Sequence, residues 1–150
     1  MSHLAKFQSS VTDPNALVRA LVQMGIQQSQ IQCYEKAVRC HGFHENETFN
    51  ANVVVRHKGS FGSDIGWEKN PDGTYTSHID NYNYKSGGGE QHYDDAWQNK
   101  CYTRYNVEKS KMELEARNIP YVEGRDDNGR TTITARFRTD SNRLSQRGGR

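Results

Sequence analysis

The chain has 150 residues, a net charge of +2, and an apolar content of 33%, low for a globular domain even though the usual 45–50% also counts glycine. Its mean hydropathy is −1.02, and no window approaches 18 uninterrupted apolar residues, so a membrane-spanning segment is excluded as an expectation. Three cysteines, Cys33, Cys40 and Cys101, form no C-x-x-C pair and make a poor disulfide framework. With no apolar run of signal length in the first residues, this points to a cytoplasmic protein. Eight tyrosines and two tryptophans predict a thin, aromatic-rich core, because such rings bury a large area while keeping a polar tip wet.

In chain order, residues 3–10 offer a weakly phased first strand. Asp13-Pro14 is a helix start: the carboxylate caps free amides and proline suits the first helical position. Leu17, Val18, Leu21 and Val22 then form one stripe, and Gly25 ends a helix over 14–24. Strands are expected at Cys33–Arg39 and Ala51–His57, the second carrying the β-branched run Val53-Val54-Val55 of a strand buried on both faces. A polar loop, 41–47, joins them.

A hairpin follows over 63–79. Ile65 and Trp67 alternate with polar neighbours, as do Tyr75 and Ile79, and Pro71-Asp72-Gly73 makes the turn. Residues 81–90 read as a flexible loop. A long helix is expected from about Tyr93 to Asn118, with Trp97, Cys101 and Tyr105 in one stripe, joined by Met112 and Ala116. Pro120 ends it. A second hairpin runs from Tyr121-Val122 through Asp126-Asp127-Asn128-Gly129 to Thr131–Arg138, placing Ile133, Ala135 and Phe137 on one face. The order predicts an α+β fold: a mostly antiparallel sheet with two helices packed on one face, the other face solvated. A single domain is expected over 1–139, followed by a disordered Arg/Gly tail over 140–150.

This order and several residues resemble the family of hypothetical chloroplast reading frame 35, also labelled domain of unknown function 1257, of cyanobacteria, plastids, other bacteria and phages. The resemblance is carried by Met1-Ser2-His3, the Asp13–Gly25 helix, Asp64-Ile65-Gly66-Trp67, Gly73-Thr74-Tyr75, and Tyr102-Thr103-Arg104-Tyr105 ahead of a final hairpin. It spans roughly residues 1 to 138, implies the fold, and supplies no catalytic assignment. The central hairpin residues Asp64, Gly66 and Trp67 are expected to be structural, with Asp64 pinning the chain before the strand and Trp67 filling the core beneath the second helix.

The chemical constellations are sparse. Cys40, His41 and His44 lie within five residues, with His57 one strand away, but zinc needs three or four converging ligands and this spacing matches no finger or ribbon. A buried strand-end cysteine beside two loop histidines is the simpler reading, and no cofactor is expected. Ser86-Gly87-Gly88-Gly89 precedes a helix but lacks the Gly-Lys-Ser/Thr of a phosphate loop. Acidic and histidine side chains around 44–57 and 64–80 form no recognisable acid–base motif, and no serine or cysteine sits in a nucleophile elbow. From Arg130 to Arg150 there are six arginines and one aspartate, a local charge of +5 that leaves about −3 for the remainder. Arg136, Arg138, Arg143, Arg147 and Arg150 are therefore the candidate nucleic-acid contacts. The leading expectation is a non-enzymatic adaptor acting through contacts with an unidentified protein partner. A nucleic-acid-binding accessory protein is the alternative, and a small-ligand-binding protein or hydrolase the weaker one.

Overall fold

The computed structural model describes residues 4–8 (backbone only), 11–42, 44, 46–57, 62–80 and 93–136. The tail 140–150, the loop 81–90, Phe137 and Met1-Ser2-His3 lie outside them. Among the described residues, seven strands and two α-helices, with a short 3-10 turn at Gln28–Gln30, follow the expected order. They are β1 (Leu4–Gln8), α1 (Pro14–Gln23), β2 (Ile31–His41), β3 (Thr48–Val55), β4 (Ile65–Lys69), β5 (Tyr75–Asp80), α2 (Asp95–Ala116), β6 (Tyr121–Arg125) and β7 (Thr131–Ala135). The chain divides into two compact units, residues 1–105 and 106–150. Among the described residues, no helix is long and apolar enough to cross a membrane.

In the first unit, β1–β5 form one antiparallel sheet in the order β1-β5-β4-β3-β2. The 63–79 hairpin forms the centre of the sheet. Asn70 and Gly73 close its turn (Gly73 N to Asn70 O, 3.0 Å; Asn70 N to Thr74 O, 2.7 Å), and Gly73 sits at φ 90, where a side chain would be strained. Asp72 accepts from the Thr74 amide and hydroxyl at 2.9 and 2.6 Å. Those bonds, the hydroxyl's first, hold its carboxyl below the usual range.

Val53, Trp67 and Ser77 face one another across three strands, and α1 and the first turns of α2, to Tyr105, lie on this side of the sheet. The Trp67 indole N–H donates to the Tyr102 hydroxyl of α2 at 3.3 Å, while Pro14 of α1 borders a cleft with Val53 and Tyr75. Asp13 caps α1 by accepting from Asn15 N and Ala16 N. One longer-range contact fixes the same helix: the Tyr105 hydroxyl accepts from both Thr12 N and Asp13 N at 3.0 Å. The α1 stripe Ala16, Leu17, Ala20 and Leu21 is wholly buried. Of the expected stripe, Val18 is half-buried and Val22 is 38% exposed.

The opposite face is not wholly solvated as the composition suggests. Val54, Gly66 and His78 form its central row, and Val54 and His78 are buried. The far end of the β2–β3 hairpin covers them: Cys40, Phe49, Ala51 and Val54 make one apolar cluster, and Phe49 stacks on His78 with centroids 4.9 Å apart. Gly66 permits this. A Cβ there would lie 2.6 Å from Ala51 Cβ and 3.0 Å from the Phe49 ring, well inside normal carbon contact.

α2 buries Trp97, Cys101 and Tyr105 as its stripe predicts. Beyond them the expectation fails, for Met112 is half-buried and Ala116 exposed. Among the described residues of the second unit the buried position is Glu108, which accepts from Lys111 at 3.2 Å. Lys111 also pairs with Glu123 of β6 at 2.7 Å and lies 6.0 Å from the Tyr121 ring. The Tyr121 hydroxyl donates to Glu115 at 2.5 Å. A polar hub rather than an apolar seam therefore joins β6–β7 to the end of α2. The carboxylates outweigh the cost of burial and raise the Lys111 pKa.

Candidate functional site

The sequence candidates separate once placed. Asp64 is nearly buried ahead of β4. One carboxylate oxygen accepts from His57 N at 2.9 Å, and the other from His41 N at 3.0 Å and Arg56 Nη1 at 3.1 Å. Its own amide donates to His41 O at 2.9 Å. Asp64 thus joins the end of β2, the exit of β3 and the entry to β4. Trp67 is fully buried.

Cys40, His41 and His44 are not brought together. Cys40 points into the Phe49 cluster, whereas its strand neighbour His41 is exposed, as is His44. Burial raises the Cys40 thiol to about 11, despite the opposing effect of Arg56. Among the described residues, no group of three or more His, Cys, Asp or Glu side chains is placed to hold a metal. Of the candidate arginines, Arg136 follows β7, its amide donating to Pro120 O at 2.6 Å. Arg138, Arg143, Arg147 and Arg150 lie outside the described residues.

A different site stands out on β2, an edge strand. Its register with β3 jumps from Cys33↔Val53 to Val38↔Ala51. Four residues of β2, Tyr34-Glu35-Lys36-Ala37, therefore face one residue of β3, Asn52, and all four are exposed. Such a bulge leaves backbone carbonyls without ladder partners. Asn52, buried at 7% exposure, supplies them: its amide nitrogen donates to Tyr34 O at 3.3 Å and Glu35 O at 3.1 Å. Its carbonyl oxygen accepts from Lys69 N, at the end of β4, at 2.8 Å.

Arg56 ties the two sides of the bulge together. Its Nε donates to Gln32 Oε1 at 3.2 Å before the bulge, and its Nη1 to Arg39 O at 3.3 Å beyond it. The Tyr34 hydroxyl joins the same Gln32 oxygen at 2.6 Å. The Asp64–Arg56 pair and Asn52 therefore hold one rigid irregularity from two directions.

The bulge opens a cleft of about 270 Å³ bordered by Pro14, Tyr34, Glu35, Val53, Lys69 and Tyr75, with Cys33 at its side. Tyr75 is 4% exposed, and burial raises its phenol pKa. Burial likewise raises the Cys33 thiol, which therefore lacks the depressed pKa of a reactive nucleophile. Buried His78 meets the half-exposed carboxylate of Glu68 at 3.0 Å, with the His78 ring stacked on Phe49, on the face opposite the cleft.

Sequence reasoning missed Asn52 and Arg56, although one signal was available. Asn52 is the lone amide in the run Ala51-Asn52-Val53-Val54-Val55, and a polar residue inside a buried strand requires partners. Comparison with known proteins finds no match to this chain, whether among family models, curated proteins or solved structures.

Proposed function

We propose that the chain is a non-enzymatic adaptor that docks a partner protein along the bulged edge of β2. The observation carrying this reading is the exposure of residues 33–37 together with the bonds that hold them: the segment lies in solvent, yet Asn52 holds the carbonyls of Tyr34 and Glu35, and Arg56 grips Gln32 before it and Arg39 O beyond it. An exposed edge recruits an extended segment through main-chain hydrogen bonds. The bulge interrupts the edge, which disfavours indiscriminate pairing between copies and favours a segment shaped to meet it. The resemblance to the reading frame 35 family supports the fold in this reading and adds no activity to it.

Site-specific photocrosslinking tests the reading. A photoreactive phenylalanine replacing Tyr34 is expected to trap one discrete protein in the cells that make the chain, while the same group at exposed Lys100 of α2 traps none. Equal labelling from both positions, or none from Tyr34, would overturn it.

The arginine-rich end supports a second reading, nucleic-acid binding by Arg136, Arg138, Arg143, Arg147 and Arg150, through its six arginines against one aspartate. That binding would weaken steeply with salt and vanish on truncation after Thr139. Salt-insensitive binding, or none, removes this reading.

A further inference from the structure

The cleft beneath the bulge carries two opposite charges that do not neutralise each other. Glu35 and Lys69 both border it, both are exposed, and the two do not pair with one another. The backbones that carry them are held by a single buried side chain. Asn52 donates to the carbonyl of Glu35 and accepts from the amide of Lys69, so its carboxamide holds both backbones at once. The rest of the lining is Pro14, Cys33, Tyr34, Asn52, Val53 and Tyr75, mostly apolar or aromatic. At about 270 Å³ the space lies below the range that encloses drug-sized ligands.

From these features we propose that the cleft binds a small zwitterion of the α-amino-acid class. Lys69 meets the ligand carboxylate, Glu35 meets its ammonium group, and the tyrosine–valine wall takes its side chain. Charge-assisted hydrogen bonds at both ends orient the molecule, and a preformed frame reduces the ordering cost of binding. Net charge cannot replace this pattern: a simple anion is repelled by Glu35 and a simple cation by Lys69. The site shares Tyr34 and Glu35 with the proposed docking edge, but its test needs no partner protein.

The test is calorimetric titration of the full chain with a panel of free amino acids, each paired with its N-acetyl derivative (anion only) and its amide (cation only). At least one free amino acid with an apolar or aromatic side chain is expected to bind, with both derivatives at least tenfold weaker. Lys69→Met and Glu35→Gln are each expected to weaken that ligand at least tenfold. Both residues are exposed, so unchanged thermal melting of the variants would separate a lost site from a lost fold. Failure of every amino acid to bind at millimolar concentration would overturn the proposal. So would equal binding of the derivatives, or full affinity in the two variants.

Discussion

Replacing Gly66 by alanine tests the packing that shapes the sheet. The added methyl would sit 2.6 Å from Ala51 Cβ, 3.0 Å from the Phe49 ring and 3.3 Å from Val53 O. The first distance is about 1 Å short of a normal carbon contact. Both Ala51 and Gly66 are on strands of the same sheet, so relief requires backbone movement in β3 or β4 rather than a rotamer change. Overpacking of this kind costs about 1–3 kcal/mol. Alanine returns about 0.4–1 kcal/mol by restricting the unfolded chain, leaving a net loss of about 1.3 kcal/mol at the middle of these ranges. In urea denaturation, with a slope of about 1–3 kcal/mol per molar, the midpoint should fall by roughly 0.4–1.3 M. Ala51→Gly in the same chain removes the closest contact and should recover part of the loss, giving a coupling above about 0.5 kcal/mol in the double-mutant cycle. A Gly66→Ala chain as stable as the parent would refute the proposed closure of the sheet by the β2–β3 end.

Asp64→Ala leaves the amides of His41 and His57 and the Arg56 guanidinium without their carboxylate, so a loss of about 2–4 kcal/mol is expected from denaturation curves, allowing for the partial exposure of Arg56. A loss below about 0.5 kcal/mol would show that Asp64 does not join these strands. The thiols should divide by burial: a thiol reagent at neutral pH modifies Cys33 in the native chain and reaches Cys40 and Cys101 only on unfolding, which mass spectrometry of the labelled protein reads directly. Burial also pushes the Cys101 thiol up to about 12 from an ordinary 9.0. The native state therefore holds that proton while the unfolded state releases it, and stability is retained below pH 9.0 and falls as pH rises toward the native value. The contribution is about 1.4 kcal/mol per pH unit above 9.0, and Cys101→Ala should flatten the alkaline slope by that amount. An unchanged slope would contradict the buried thiol.

Local chemistry made much of the fold legible. Asp13-Pro14 and Gly25 delimit α1 because capping depends on adjacent residues. Pro71-Asp72-Gly73 and Asp126-Asp127-Asn128-Gly129 each set a hairpin because their φ preferences belong to the residues themselves. The stripe Trp97, Cys101, Tyr105 predicts the buried side of α2, but extending it to Ala116 fails because the next buried side chain is charged. Strand order was not legible, since pairing β1 with β5 depends on contacts about seventy residues away in sequence. The bulge at 34–37 was hidden for a related reason. Nothing in Tyr34-Glu35-Lys36-Ala37 marks an irregularity, whose cause lies in Asn52 and Arg56 on the neighbouring strand and its exit. The hairpin residues Asp64, Gly66 and Trp67 were visible as a group, but their three separate tasks were not.

Hydrogen exchange on the complex of this chain with its crosslinked partner tests the central claim most directly. If the rigid bulged edge is the docking surface, backbone amides within residues 31–41 slow on complex formation, while those of the β6–β7 hairpin keep their free rates. Protection confined to β6–β7 or α2, with 31–41 unchanged, would contradict the account and move the functional surface elsewhere.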